Sequence, residues 1–160
     1  TTDGLTGVGN RHAFDDYLRH QVVLGQPAGE EERVMALIDM DGLKQINDTY
    51  GHLYGDEVLR KVSASIRSSV RNVDVAGRYG GEEFLVILPG IGLEGSALVA
   101  ERIRSSVEAL SFSLSGVSVT LSCGVAEYRA EGVSEFISRA DELLYQAKEG
   151  GRNRVCFREE

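Results

Sequence analysis

Only two cysteines occur, Cys123 and Cys156. Two thiols so widely separated make neither a disulfide framework nor a zinc site, and they read as reduced cysteines of a cytoplasmic protein. No apolar run is long enough to cross a bilayer as a helix. The start shows no signal peptide and no initiator methionine, so a fragment cut from a longer protein is expected. Positive charge is also scarce. Seventeen Lys and Arg stand against twenty-five Asp and Glu, giving a net charge of -8 and a pI of about 4.9. That balance excludes a nucleic-acid backbone binder and direct contact with an anionic membrane surface. Low-complexity segments and internal repeats are missing too. What remains is 160 residues, 42% of them hydrophobic, enough for one domain over residues 1–160 with its own core.

The apolar pattern predicts a sequence of elements. Phe14, Tyr17, Leu18 and Val22 mark a helix over about residues 11–24, followed by a polar loop with an acidic cluster at Glu30, Glu31 and Glu32. Val34 to Ile38 reads as a strand buried on both faces, ending in Asp39-Met40-Asp41. Val58, Val62, Ile66 and Val70 give an amphipathic helix. Val73 to Tyr79 and Glu82 to Leu88 read as a hairpin turning tightly on Gly80-Gly81, with positive φ at the glycines. Val99, Ile103, Val107 and Leu110 mark a helix. Val117, Val119, Leu121, Cys123 and Val125 alternate as a strand, residues from Val133 to Ala147 form a helical stripe ended by Gly150-Gly151, and Val155 to Phe157 is a last strand. Strands and helices alternating about a hairpin predict a layered α/β or α+β domain with a mixed or antiparallel sheet.

Two nucleotide motifs are excluded. Gly90-Ile91-Gly92-Leu93-Glu94-Gly95 matches G-x-G-x-x-G, but no acid lies between Ser111 and Ala126, where a dinucleotide site needs one. A turn is the better reading. No P-loop sequence is present. The informative constellation is acidic. Asp39 and Asp41 close one buried strand, and Glu82 and Glu83 open the second arm of the hairpin. If those strands are neighbours, the carboxylates converge at one edge of the sheet. Carboxylates that close raise each other's pKa unless a cation intervenes, and hard oxygen donors suit Mg²⁺. Each acid singly reads as a solvated loop charge; together, at element ends, they read as a metal site.

Gly80-Gly81-Glu82-Glu83-Phe84 resembles the signature of GGDEF-domain diguanylate cyclases. Asp3-Gly4-Leu5-Thr6-Gly7 with Asn10-Arg11 resembles that family's opening motif. Asp39-Met40-Asp41, Lys44, Asn47-Asp48, Tyr50-Gly51-His52 and Gly55-Asp56 follow its D-x-D…K-x-x-N-D-x-x-G-H…G-D pattern, and Arg78-Tyr79 precede the signature. Ala140-Asp141, Tyr145, Ala147-Lys148 and Gly151-Arg152-Asn153 resemble its closing motif. The match covers nearly the whole chain, in order. Gly9, Gly42-Leu43 and Cys123 depart from the usual residues, and Gly42 is expected to loosen the phosphate loop.

The resemblance implies an α/β (α+β) palm-like domain, with a central mixed, mostly antiparallel sheet flanked by helices, related to nucleotidyl cyclases. It implies condensation of two GTP into cyclic di-GMP with release of pyrophosphate. It implies two Mg²⁺ or Mn²⁺ ions per half-site, held by Asp39, the Met40 backbone carbonyl and Glu82, with Asp41 and Glu83 in support. Lys44 matches the lysine that stabilises the transition state, and Glu82 serves there mainly as a metal ligand. Lys148 and Arg152 match residues holding the triphosphate; favourable charge at a helix C-terminus is the plainer account of both. Asn47 and Asp56 match the guanine-reading pair, with His52 in the same pocket. A carboxylate accepts from guanine N1–H and N2–H₂, whereas adenine presents a bare acceptor.

Arg71 and Asp74 match the family's R-x-x-D site, through which the product inhibits; a local ion pair is the plainer alternative. Two phosphodiester bonds imply a two-fold homodimer. The resemblance also implies an N-terminal sensory or dimerisation region beyond this chain, through which a full-length protein could be membrane-anchored. Two rival readings stand beside this one: a catalytically weak module that senses GTP or cyclic di-GMP, and a cyclase making a cyclic mononucleotide.

Overall fold

The structure, a computed structural model, describes Asp16, residues 33–114 and residues 116–158. The opening motif, the helix expected over 11–24 and the Glu30 to Glu32 cluster lie outside the described residues, except for Asp16, which is helical.

The described chain forms a five-stranded sheet with four helices. In chain order they are β1 (Arg33–Asp41), α1 (Leu43–Tyr50), α2 (His52–Ser69), β2 (Val75–Arg78), β3 (Glu83–Pro89), α3 (Gly92–Glu108), β4 (Thr120–Glu127), α4 (Val133–Glu149) and β5 (Val155–Phe157). The strand order is β2-β3-β1-β4-β5, with β4 and β5 parallel and the other pairings antiparallel.

β1 is buried along its whole length because it lies at the centre and helices cover both faces. Strand side chains alternate between faces, so one stretch of sequence feeds two cores. Val34, Ala36 and Ile38 join Val58, Val62 and Ile66 of α2 and Val99, Ile103 and Val107 of α3. Met35 and Leu37 join Phe136, Ala140, Leu143 and Leu144 of α4. Cys123 is buried, Cys156 is half-buried, and both are free thiols.

Several boundaries differ from the pattern-based expectation. β1 runs on through Asp39 to Asp41, because β3 pairs with it as far as Asp39 and β4 as far as Asp41. β4 begins at Thr120, since Asp41↔Thr120 is the last pair of the β1–β4 ladder; Val117 and Val119 alternate correctly but, among the described residues, have no strand opposite them. The last turn of α2 stops at Ser69, one residue short of Val70.

The α1 helix is an addition. It buries only Leu43 and Ile46, too few to announce a period, and its entry is set by Gly42 at φ 85, ψ 12. That left-handed conformation favours glycine, so Gly42 fixes the start of α1 rather than loosening it. Gly51 alone separates α1 from α2, at φ 90, ψ 161, a region essentially restricted to glycine.

The hairpin is corrected as well. Its connection is Tyr79 to Glu82, and neither Gly80 nor Gly81 has positive φ. Tyr79 N donates to Glu83 O at 2.7 Å, and Arg78 ties the turn through Nε to Gly80 O at 3.2 Å and Nη2 to Gly81 O at 2.7 Å. A Cβ at Gly80 would stand 2.5 Å from Glu83 Oε1, so any side chain there would push the Glu83 carboxylate aside. In Gly90–Gly95, the G-x-G-x-x-G segment is a turn with Gly90 at φ 82, leading directly into α3.

Candidate active site

The carboxylates converge because β1 and β3 are neighbours in the sheet, with Asp39 opposite Glu83. One residue further along, Met40 N donates to Glu82 O at 3.0 Å, which extends the ladder into the turn. This places Glu82 beside Asp39 at the end of the sheet.

Asp39 and Asp41 have different partners. Asp41 accepts from Thr120 Oγ1 at 2.7 Å, Ser122 Oγ at 2.8 Å and Asn153 N at 3.1 Å, and Arg152 Nη1 stands 3.8 Å away. Its oxygens are spent on holding β4 and the chain after α4 against β1. Asp41 is therefore structural support, and Thr120, Ser122 and Asn153 are the partners that spacing within the sequence does not disclose.

Asp39 is buried and accepts a hydrogen bond from Lys148 Nζ through Oδ2, while its Oδ1 is buried with no hydrogen-bond partner among the described residues. Burial is the main force pushing its carboxyl above the usual range, with Lys148 pulling the other way. The Glu82 carboxyl is also raised, first by burial and then by the negative charge of Asp39.

An orphaned carboxylate oxygen and two mutually repelling acids are what a divalent cation would relieve. Among the described residues no three His, Cys, Asp or Glu side chains converge on one point. A cation here would therefore take two carboxylates, a backbone carbonyl and oxygens from a phosphate ligand, the sparse protein set that suits Mg²⁺.

Two open cavities flank these acids. One, of about 660 Å³, is walled by Lys44, Asn47, His52 and Asp56 from α1 and α2, and by Arg78 and Gly81 from the hairpin, with Asp39 and Glu82 at its floor. The other, of about 430 Å³, lies beyond Met40 and Asp41 and is bordered by Lys148 and Arg152. Asp39, Lys44 and Glu82 line both. The arrangement thus has a polar pocket on one side, cations on the other and the acids between them.

Arg152 and Asn153 both adopt positive φ, 66° and 47°. The bend is held by Asn153, whose side chain accepts from Arg104 at 2.8 Å and donates to Glu108 at 2.6 Å. Arg71 and Asp74 lie elsewhere, on the connection between α2 and β2. Arg71 donates to Asp74 through Nε at 3.0 Å and Nη2 at 2.6 Å, and Nη2 also reaches Pro89 O at 2.7 Å. The Asp74 side chain is fully covered, whereas that of Arg71 remains 33% exposed. The plainer alternative, a local ion pair, is therefore present, and Asp74 serves it.

A family model described as diguanylate cyclase, GGDEF domain, matches residues 1–154. Diguanylate cyclase A of Treponema denticola is 43% identical over 98% of this chain, which spans 44% of that relative's length. Among solved structures, the GGDEF domain of DgcB from Caulobacter crescentus in complex with c-di-GMP superposes with a TM-score of 0.92 at 38% identity, covering 98% of this chain and 95% of that one. The active GGEEF domain of a diguanylate cyclase from Vibrio cholerae, which bears the same signature letters, gives 0.85 at 29% identity over 96% and 98%. The sheet and its flanking helices are those of this palm-like fold.

Proposed function

Because the chain belongs to the diguanylate cyclase GGDEF-domain family, we propose that it condenses two GTP into cyclic di-GMP and two pyrophosphates. The observation that carries this reading is the convergence of Asp39, Glu82 and Lys44 where the two cavities meet. The larger cavity takes the guanosine, with Asp56 accepting from the N1–H and N2–H₂ edge of the base, Asn47 hydrogen-bonding to the base through its carboxamide, and His52 at the rim. The smaller takes the triphosphate, against Lys148 and Arg152.

Two Mg²⁺ or Mn²⁺ ions, held by Asp39, the Met40 carbonyl and Glu82, would stabilise the attacking and leaving oxygens when bound. A metal-bound carboxylate is a weak base, so Glu82 works as a ligand and electrostatic partner rather than as a free base. Lys44 supplies positive charge to the α-phosphate as negative charge develops there. Lys148 exchanges the Asp39 carboxylate for phosphate oxygens once substrate enters. In each half-reaction a ribose 3′-oxygen bonds to the α-phosphorus of the other nucleotide, the bond to pyrophosphate breaks, and the 3′-hydroxyl proton is lost. Two chains face each other to complete both bonds.

Incubation with GTP and Mg²⁺, followed by chromatography of the products, tests this. Cyclic di-GMP and pyrophosphate are expected, with a rate that rises faster than linearly with protein concentration. A cyclic mononucleotide, or GTP bound but unchanged, overturns it.

Regulation is proposed at Arg71. Its Nη2 and Nε are committed to Asp74 and Pro89, and the side chain, still 33% exposed, leaves the guanidinium within reach of a guanine of the product. Arg71→Ala is expected to raise the half-inhibitory concentration of cyclic di-GMP about tenfold or more, the loss of one charged hydrogen-bonding partner. Initial rates without product should barely move. Unchanged inhibition defeats the assignment.

A further inference from the structure

Gly55 is the fourth residue of α2 and is buried, with ordinary helical backbone. Nothing in its φ requires glycine, and a glycine inside a helix is unfavourable relative to alanine. The reason for it is spatial. A Cβ at Gly55 would stand 1.7 Å from Asn47 Oδ1 and 2.9 Å from Asn47 Cγ, distances that no real atoms share. The Asn47 carboxamide oxygen therefore occupies the space that a side chain on Gly55 would fill.

The backbone brings the two together. Gly51 N donates to Asn47 O at 2.9 Å, and Gly55 N donates to Gly51 O at 3.1 Å, so α1 folds back on α2 through one glycine. Asp56, the next residue along, lines the same cavity as Asn47. Asn47 itself is only half-buried, and among the described residues no hydrogen bond holds its carboxamide.

We infer that Gly55 is a positioning residue for the nucleobase: its missing side chain is the seat that aims the Asn47 carboxamide into the pocket beside Asp56. The inference rests on the proposed guanine-reading role of Asn47. What an alanine would displace is the far end of a flexible side chain, with no backbone atom in the way, so Gly55→Ala folds and turns Asn47 aside.

The test is a double-mutant cycle on the whole chain: parent, Gly55→Ala, Asn47→Ala and the pair. Two quantities are read: melting temperature, and dissociation constants for a nonhydrolysable GTP analogue and its adenine counterpart in Mg²⁺. Gly55→Ala is expected to weaken the guanine ligand about tenfold, with the adenine ligand nearly unaffected. Adding it to Asn47→Ala should weaken binding no further. Alanine at position 55 should raise the melting temperature when residue 47 is Ala and fail to raise it when residue 47 is Asn. Equal gains in both backgrounds, or additive losses of binding, overturn the seat. Coupled melting temperatures together with unchanged guanine binding in Asn47→Ala overturn the guanine reading, and the positioning role with it.

Discussion

Replacing Glu82 by glutamine is expected to lower pyrophosphate release from GTP by about a hundredfold or more, because a metal-centred electrostatic contribution of several kcal/mol is lost. The same variant should be more stable than its parent in EDTA. The Glu82 carboxyl sits above its ordinary value of 4.5, through burial first and the charge of Asp39 second. An acid that is weaker in the folded than in the unfolded chain favours folding while it is protonated. That contribution is fully present below the unfolded value and is lost as pH rises through the folded one.

Glutamine cannot ionise, so its advantage is absent well below pH 4.5, grows as pH rises through the interval up to the raised value, and stays constant above it. Melting curves of both proteins from acid to neutral pH check this. An advantage already present at the acid end would assign it to packing instead of charge. Added Mg²⁺ should then stabilise the parent and leave the variant almost unmoved.

The largest loss of stability is expected from Gly124→Ala. Gly124 lies on β4 where α4 crosses it. A Cβ there would stand 2.3 Å from Ala140 O, 2.3 Å from Leu144 N and 2.9 Å from Leu143 C. All three are backbone atoms of one helix, so no rotamer change can relieve the overlap; helix and strand have to separate. Overpacking of this kind destabilises by roughly 3 kcal/mol, which for a domain of this size lowers Tm by about 10 °C. A melting temperature within about 2 °C of the parent would contradict the close approach. Since α4 also carries Lys148, GTP affinity should fall alongside stability.

The contrast between Gly124 and Gly80 shows what was legible in the sequence. A continuous apolar run located β1, alternation located β4 and the period-3.6 patterns located α2, α3 and α4, because those elements bury continuous faces. The convergence of Asp39 and Glu82 was legible because a carboxylate at the end of a buried strand needs a partner to offset its burial. The hairpin geometry was not: Gly80-Gly81 resembles a tight turn, yet the turn depends on Arg78 reaching two carbonyls and on room for Glu83.

The α1 helix was missed because two buried side chains carry no periodicity. The pairing of Lys148 with Asp39, 109 residues apart, and the commitment of Asp41 to β4 arise only from tertiary packing. The division of labour between the two aspartates therefore needed the fold.

The ties made by Asp41 also bear on how the chain reaches its folded state. Its oxygens join residues 79, 81 and 112 positions further along. Contacts that distant close large loops, and they form late in folding. On a ribosome, the strand carrying Asp39 would emerge and pair with β3 while Asn153 was still unsynthesised. The smaller cavity, bordered by Lys148 and Arg152, is thus completed only when the closing segment docks, whereas every residue lining the larger one precedes α3.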